Sequence, residues 1–140
     1  MHIKEITKLY PPATIGLVGG GQLGRMFVFE AKRMCYNVIV LDPKVNSPAG
    51  QVADEQIIAD FDDIWALKEL ARKTDVVTYE FEHINVETLS LIEDEGFRVI
   101  PSSRTLKIIQ NKYVQKCMLK EIGIKGPTFY KVNTLKALKE

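Results

Sequence analysis

The chain has 140 residues, 46% hydrophobic and 26% charged, with 19 Lys and Arg against 18 Asp and Glu for a formal net charge of +1. That balance belongs to a folded chain with a real core and argues against a disordered tail or a generally basic nucleic-acid binder. No apolar run approaches the roughly 18–20 residues of a bilayer span, and Met1 to Tyr10 carries Lys4, Glu5 and Lys8 where a signal peptide needs an apolar stretch, so a cytoplasmic protein with no nucleic-acid or membrane partner is expected.

From Thr14 onward, short apolar runs alternate with helix-period stretches, which predicts an α/β fold with a doubly wound parallel sheet. The first strand is Thr14 to Val18, and Gly19 to Gly24 follow it at once. A helix is expected from about Gln22 to Cys35, because Leu23, Phe27, Ala31 and Met34 recur at helical spacing on a core-facing stripe. Val38 to Leu41 is a continuous apolar strand that stops at Asp42-Pro43, and Asn46, Ser47, Pro48 and Gly50 mark the next stretch as a loop. Gln56 to Ala59 reads as a short strand, and Asp62-Asp63 opens a helix with Ile64, Leu67, Leu70 and Ala71 inward. Asp75 to Phe81 is the next strand, Val86, Leu89 and Ile92 mark a helix, and Arg98 to Ile100 forms a further strand closed by Pro101. The four segments around Ile15–Val18, Val38–Leu41, Val76–Tyr79 and Val99–Ile100 are expected to run parallel in one sheet, since helical crossovers separate them.

Ser102 or Ser103 is expected to cap another helical segment. A helix from about Asn111 to Ile122 follows, with Val114, Cys117, Met118 and Ile122 on one side and Lys112, Lys116 and Lys120 on the other. Gly123 to Pro127 breaks the pattern, Thr128 to Val132 reads as an isolated strand, and Leu135 to Leu138 as a last helical turn. The sheet domain is expected over 1–103, with 104–140 beginning a second unit. Cys35 and Cys117 lie far apart on helix-like segments and read as small buried hydrophobes, not as redox or metal ligands; no metal site is expected.

Gly19, Gly21 and Gly24 satisfy G-x-G-x-x-G between a strand and a helix. The first glycine permits a tight turn, the second close approach of backbone to a ligand, and the helix start offers free N–H groups to an anion such as phosphate. The alternative is that the glycines only pack helix against sheet. Asp42 ends the second strand 18 residues after Gly24, near where a dinucleotide enzyme places its ribose-binding acid, although a turn acid beside Pro43 reads equally well. Glu80 and Glu82 sit at the carboxyl end of a strand, the edge where open parallel sheets bind ligands, and share a face if the strand continues. Such carboxylates can hold ribose hydroxyls or an amine. His83 reads as a surface histidine.

The segments Ile15 to Met26, Val40-Leu41-Asp42-Pro43 with Ser47-Pro48-Ala49 and Gln51 to Asp54, and Asp75 to Glu82 closely resemble the amino-terminal region of the 5-(carboxyamino)imidazole ribonucleotide synthases, of the ATP-grasp superfamily. Ile109 to Lys112, Gln115-Lys116 and Gly123-Ile124 resemble the start of that family's ATP-binding part. The resemblance implies a Rossmann-like pre-ATP-grasp domain followed by the start of an ATP-grasp domain. It further implies an ATP-dependent ligase of purine biosynthesis that carboxylates 5-aminoimidazole ribonucleotide with bicarbonate. By the same resemblance Gly21, Gln22, Leu23 and Glu80 lie at the ribonucleotide site, Lys112 contacts ATP, ATP and Mg2+ serve the complete enzyme, and that enzyme is a homodimer. The ATP-grasp domain has barely begun by Glu140, so these 140 residues alone are expected to be inactive and to bind neither ATP nor Mg2+ tightly. Lys112 stands where the family commonly has arginine, and Cys35-Tyr36 where a glycine often ends the helix. The rival readings are a stand-alone NAD- or nucleotide-binding Rossmann module with Asp42 on a ribose, and a dimerisation domain.

Overall fold

The computed structural model describes residues 8–139. Of the Met1 to Tyr10 segment only Lys8, Leu9 and Tyr10 are among them. Four strands form one sheet: β1 (Thr14–Val18), β2 (Asn37–Leu41), β3 (Glu55–Ile57) and β4 (Val76–Tyr79), in the order β3-β2-β1-β4 and parallel throughout. Ile15 lies level with Val38 and Val76, and Val18 with Leu41 and Tyr79, so three carboxyl ends finish on one edge. The expected parallel arrangement is therefore present. Its fourth member, Arg98 to Ile100, is reduced to one parallel bridge between Val99 and Val77, closed by Val77 N–H to Arg98 O at 2.8 Å and Ile100 N–H to Val77 O at 2.9 Å. Pro101 follows without an N–H to extend the ladder. The short strand expected at Gln56 to Ala59 starts one residue earlier and ends two earlier.

Strand residues alternate between two cores because successive side chains point to opposite faces. Leu17, Val38 and Val40 pack with Val28, Ala31 and Ala49 on one face. Val18, Ile39, Leu41 and Val77 pack on the other with Leu67 and Leu70 of helix α2 (Ile64–Lys73) and Leu89 and Ile92 of α3 (Val86–Asp94). Asp63 and Asn85 cap these two helices with side-chain oxygens, as their residue types favour.

Helix α1 (Gln22–Arg33) is where the apolar spacing misleads. Its buried residues are Gly24, Val28 and Ala31, while Leu23 is 65%, Phe27 38% and Met34 58% exposed. Gly24 sets the rotation: a Cβ there would stand 2.8 Å from the carbonyl oxygen of Gly19, so the helix approaches β1 through its glycine and turns the residues one turn and two turns on inward. The larger apolar stripe one position back then faces outward.

Cys35 also departs from the expected helical, buried position. It is exposed at φ 64°, and Cys117 is only half-buried. Cys35 N–H donates to Lys32 O at 3.0 Å and Tyr36 N–H to Ala31 O at 3.0 Å, the bonding of a Schellman end, with cysteine in the left-handed position that glycine usually takes. Replacing Cys35 with glycine should raise stability by about 1 kcal/mol, read as a higher thermal midpoint, because the left-handed conformation costs a residue with a Cβ about that much.

Ser102 caps α4 (Ser103–Ile109), whose Leu106 is fully buried in the second core, and Asn111 caps α5 (Lys112–Glu121), which buries no residue. The strand expected over Thr128 to Val132 is absent; that stretch has no regular structure and pairs with none of the four strands. A short α6 (Leu135–Lys139) follows.

Asp54 ties the loop after β2 back to the sheet. It accepts Val38 N–H at 2.8 Å and Lys32 Nζ at 2.6 Å. Burial raises its pKa, but those donors outweigh burial and hold it below the ordinary 3.8. A lowered folded-state pKa means that the contribution to stability is complete above the ordinary value and fades as pH falls through the lowered one. An Asp54→Asn variant should accordingly lose less stability than wild type when acid unfolding is followed below about pH 4.

Candidate functional site

The glycine loop leaves the end of β1 and turns into α1. Gly19 adopts φ +102°, and its N–H donates to Leu41 O at 2.9 Å, which binds the turn to β2. A Cβ on Gly19 would lie 2.8 Å from the Phe81 ring and one on Gly20 2.3 Å from Ser47 Oγ, so both residues are glycine because neighbours fill the side-chain volume. Gly21 is the N-cap of α1 and supplies no side-chain acceptor. The N–H groups of Gln22, Leu23 and Gly24 begin the helix and have no intrahelical acceptor. Arg25 N–H is the first satisfied, by Gly21 O at 3.0 Å. No acidic residue stands in the first turn, so the positive end of the helix is open to an anion.

Two carboxylates face this loop. Glu80 begins where β4 ends, with its N–H on Val18 O at 3.1 Å, and its Oε2 accepts Gly21 N–H at 3.3 Å. Asp42 follows β2; Oδ2 accepts Gly20 N–H at 2.7 Å and Oδ1 accepts Lys44 N–H at 2.8 Å, with 9% of the residue exposed. Both Asp42 oxygens are thus committed to backbone inside the fold. The Lys44 N–H bond is the turn-acid arrangement beside Pro43 that the sequence also allowed.

The chain bends after Tyr79, so Glu80 and Glu82 do not share a face as a continued strand would have placed them. Glu80 turns to the glycine loop. Glu82 meets Lys112 Nζ at 3.7 Å, and its carboxyl is held below the ordinary value by its own backbone N–H first and by Lys112 next. Gln110 binds the same bend, donating through Nε2 to Glu82 O and Ile84 O, each at 2.8 Å. The start of α5 is therefore tied to the bend that carries Glu80. Phe81 packs against Gly19 and edge-on to Phe61, with ring centroids 4.7 Å apart. Beneath, Tyr79 Oη is buried without a partner among the described residues; burial first, and the Glu93 charge next, push its pKa up. His83 is exposed, as the surface reading had it.

Gly21, Gln22, Leu23 and Glu80 thus stand together, and Lys112 stands beside the same bend. Sequence reasoning had missed Phe81 as the wall against Gly19 and Gln110 as the tie. The signal for the first was a bulky residue next to Glu80, while nothing local marked the second. Among the described residues no group of three or more His, Cys, Asp or Glu could hold a metal ion. No helix among them is long and apolar enough to cross a membrane.

A family model, the ribonucleotide synthetase preATP-grasp domain, matches residues 12–110. The chain belongs to the preATP-grasp family of ribonucleotide synthetases. Its sequence is 45% identical over 118 residues to N5-carboxyaminoimidazole ribonucleotide synthase of Brucella melitensis, covering 84% of this chain and 32% of that protein. The fold is similar to the crystal structure of N5-carboxyaminoimidazole ribonucleotide synthetase from Thermotoga maritima, with TM-score 0.80, 51% identity and coverage of 89% of this chain and 35% of that one. It is also similar to the Aspergillus clavatus N5-carboxyaminoimidazole synthase, solved in complex with ADP and 5-aminoimidazole ribonucleotide (TM-score 0.73, 38% identity, 82% and 31% covered). The chain spans about a third of the length of the curated relatives it matches. The resemblance read from the glycine loop, the Asp42-Pro43 segment and the Glu80 motif is borne out, and the preATP-grasp assignment accounts for the parallel sheet and for the loop at its edge.

Proposed function

We propose that these residues form the ribonucleotide-binding part of an ATP-dependent synthase that carboxylates the exocyclic amine of 5-aminoimidazole ribonucleotide with bicarbonate. The observation that carries this reading is the pairing of Glu80 with the Gly21 N–H at an uncapped helix start. Glu80 is acceptor-only and meets hydroxyls or an amine, while the N–H groups of Gly21, Gln22 and Leu23 meet a phosphate. Glu80 leaves the Gly21 amide as ligand arrives, because one donor cannot serve both anions well. ATP, the phosphoryl donor that activates bicarbonate, lies on the far side of the bend, where Lys112 contributes one cationic contact after leaving Glu82. Magnesium is assigned no ligand among the described residues. We further propose that the whole protein is a cytoplasmic homodimer, and that residues 1–103 form the sheet domain while 104–140 open the next, with α4 as the joining helix that buries Leu106.

The test is a chimera in which these 140 residues replace the corresponding third of the Thermotoga maritima synthetase. ADP release should depend on 5-aminoimidazole ribonucleotide and bicarbonate together. A folded chimera that hydrolyses ATP without regard to the ribonucleotide would refute the assignment. In the same chimera Lys112→Ala should raise KM for ATP about fivefold at most and leave KM for the ribonucleotide unchanged, since one exposed lysine contact is worth about 1 kcal/mol or less.

A further inference from the structure

The loop from Asp42 to Asp54 is bonded to the glycine turn at several points, beyond what a connection between two strands requires. Asp42 accepts Gly20 N–H at 2.7 Å and Lys44 N–H at 2.8 Å. The opposite side of Gly20 is held as well, its carbonyl accepting Ala49 N–H at 2.9 Å. Ser47, fully buried, fills the space where a Gly20 side chain would stand. Arg25, on the first turn of α1, donates to Pro48 O at 2.9 Å. The peptide on each side of Gly20 is thus fixed, and Gly21 is the next residue along.

We propose that Asp42 is a positioning residue for the ribonucleotide site: its buried carboxylate holds the Gly20 amide, and so sets the direction in which the Gly21 to Leu23 amides and the start of α1 meet the ligand. The inference rests on the ribonucleotide reading above. The two carboxylates at the loop divide the work. Asp42 is buried and bonded twice, whereas Glu80 is partly exposed and bonded once, at 3.3 Å, so Glu80 is free to exchange its donor and Asp42 is not.

Asp42→Asn tests the idea with little change of volume: one oxygen remains and an NH2 group faces a backbone donor. Asp54→Asn is the control, since Asp54 also accepts a backbone N–H, from Val38 in β2, and its bonds are to Val38 and Lys32, outside the glycine loop. Both variants are compared with the wild-type chain well below their thermal midpoints by calorimetry with 5-aminoimidazole ribonucleotide and by amide hydrogen exchange. Asp42→Asn should bind about tenfold more weakly, and exchange at Gly20 and Gly21 should quicken by about tenfold or more relative to Val28 in α1. Asp54→Asn should stay within about twofold on both readouts. Unchanged exchange at Gly20 in Asp42→Asn, or an equal loss of affinity in both variants, would overturn the positioning role. If wild type itself takes up no ribonucleotide, the functional reading fails, and with it the positioning of that ligand, whereas binding that survives in Asp42→Asn removes the Asp42 inference alone.

Discussion

Replacing Glu80 with alanine is expected to weaken binding of 5-aminoimidazole ribonucleotide by about two orders of magnitude and to leave the fold intact. Hydrogen bonds to a charged acceptor are worth about 1.5–3 kcal/mol each, so losing a carboxylate that takes two ligand donors removes roughly 3 kcal/mol or more, which is about a hundredfold. The fold loses little, because the bond this carboxylate makes among the described residues is a 3.3 Å contact to Gly21 N–H at a partly exposed position. Inorganic phosphate should respond in the opposite direction. With the carboxylate gone, Gly21 N–H joins Gln22 and Leu23 as a free donor and a negative charge leaves the site, so phosphate should shift these amides at lower concentration than in wild type. Glu80→Gln keeps one acceptor and should lose about tenfold in ribonucleotide affinity. Calorimetry and amide NMR read both signs, and a parallel loss of ribonucleotide and phosphate would indicate a damaged loop instead.

The largest effect on stability is expected from Gly19→Ala. The residue sits at φ +102°, outside the region open to side chains, and its Cβ would stand 2.8 Å from two carbons of Phe81 and 3.0 Å from Glu80 Oε2. The backbone cost is about 1–2 kcal/mol, and moving a ring that packs edge-on to Phe61 adds about 1–2 more, for roughly 2–4 kcal/mol in all. At about 4–8 °C for each kcal/mol in a domain of this size, the thermal midpoint should fall by about 8 °C or more. A fall of only a degree or two would show that the turn and Phe81 yield easily.

The parallel sheet was readable because its information is local: β-branched runs of strand length, each bounded by a turn signal and separated by a helical period. The glycine loop was readable for the same reason, since strand, glycines and helix are contiguous. What failed in the reading depended on features that side-chain type and apolar period do not carry. Leu23, Phe27 and Met34 form the stronger apolar stripe, yet Gly24 decides the rotation of α1 through its approach to Gly19, and a glycine contributes nothing to a hydrophobic pattern. Cys35 looked like part of a helix because nothing in its side chain signals a left-handed stop. Thr128 to Val132 has strand composition but pairs with none of the four strands. Asp42 was legible as a strand-end acid, either a ligand acid or a turn acid beside Pro43, while its donors, Gly20 and Lys44, became evident only with the fold.

The central claim, that this edge of the sheet is a ribonucleotide site and not a dinucleotide site, is tested most directly by calorimetric titration of the 140-residue chain with 5-aminoimidazole ribonucleotide and, separately, with NAD. One equivalent of ribonucleotide should bind, and NAD should give no heat of binding. Binding of NAD with no response to the ribonucleotide would contradict it.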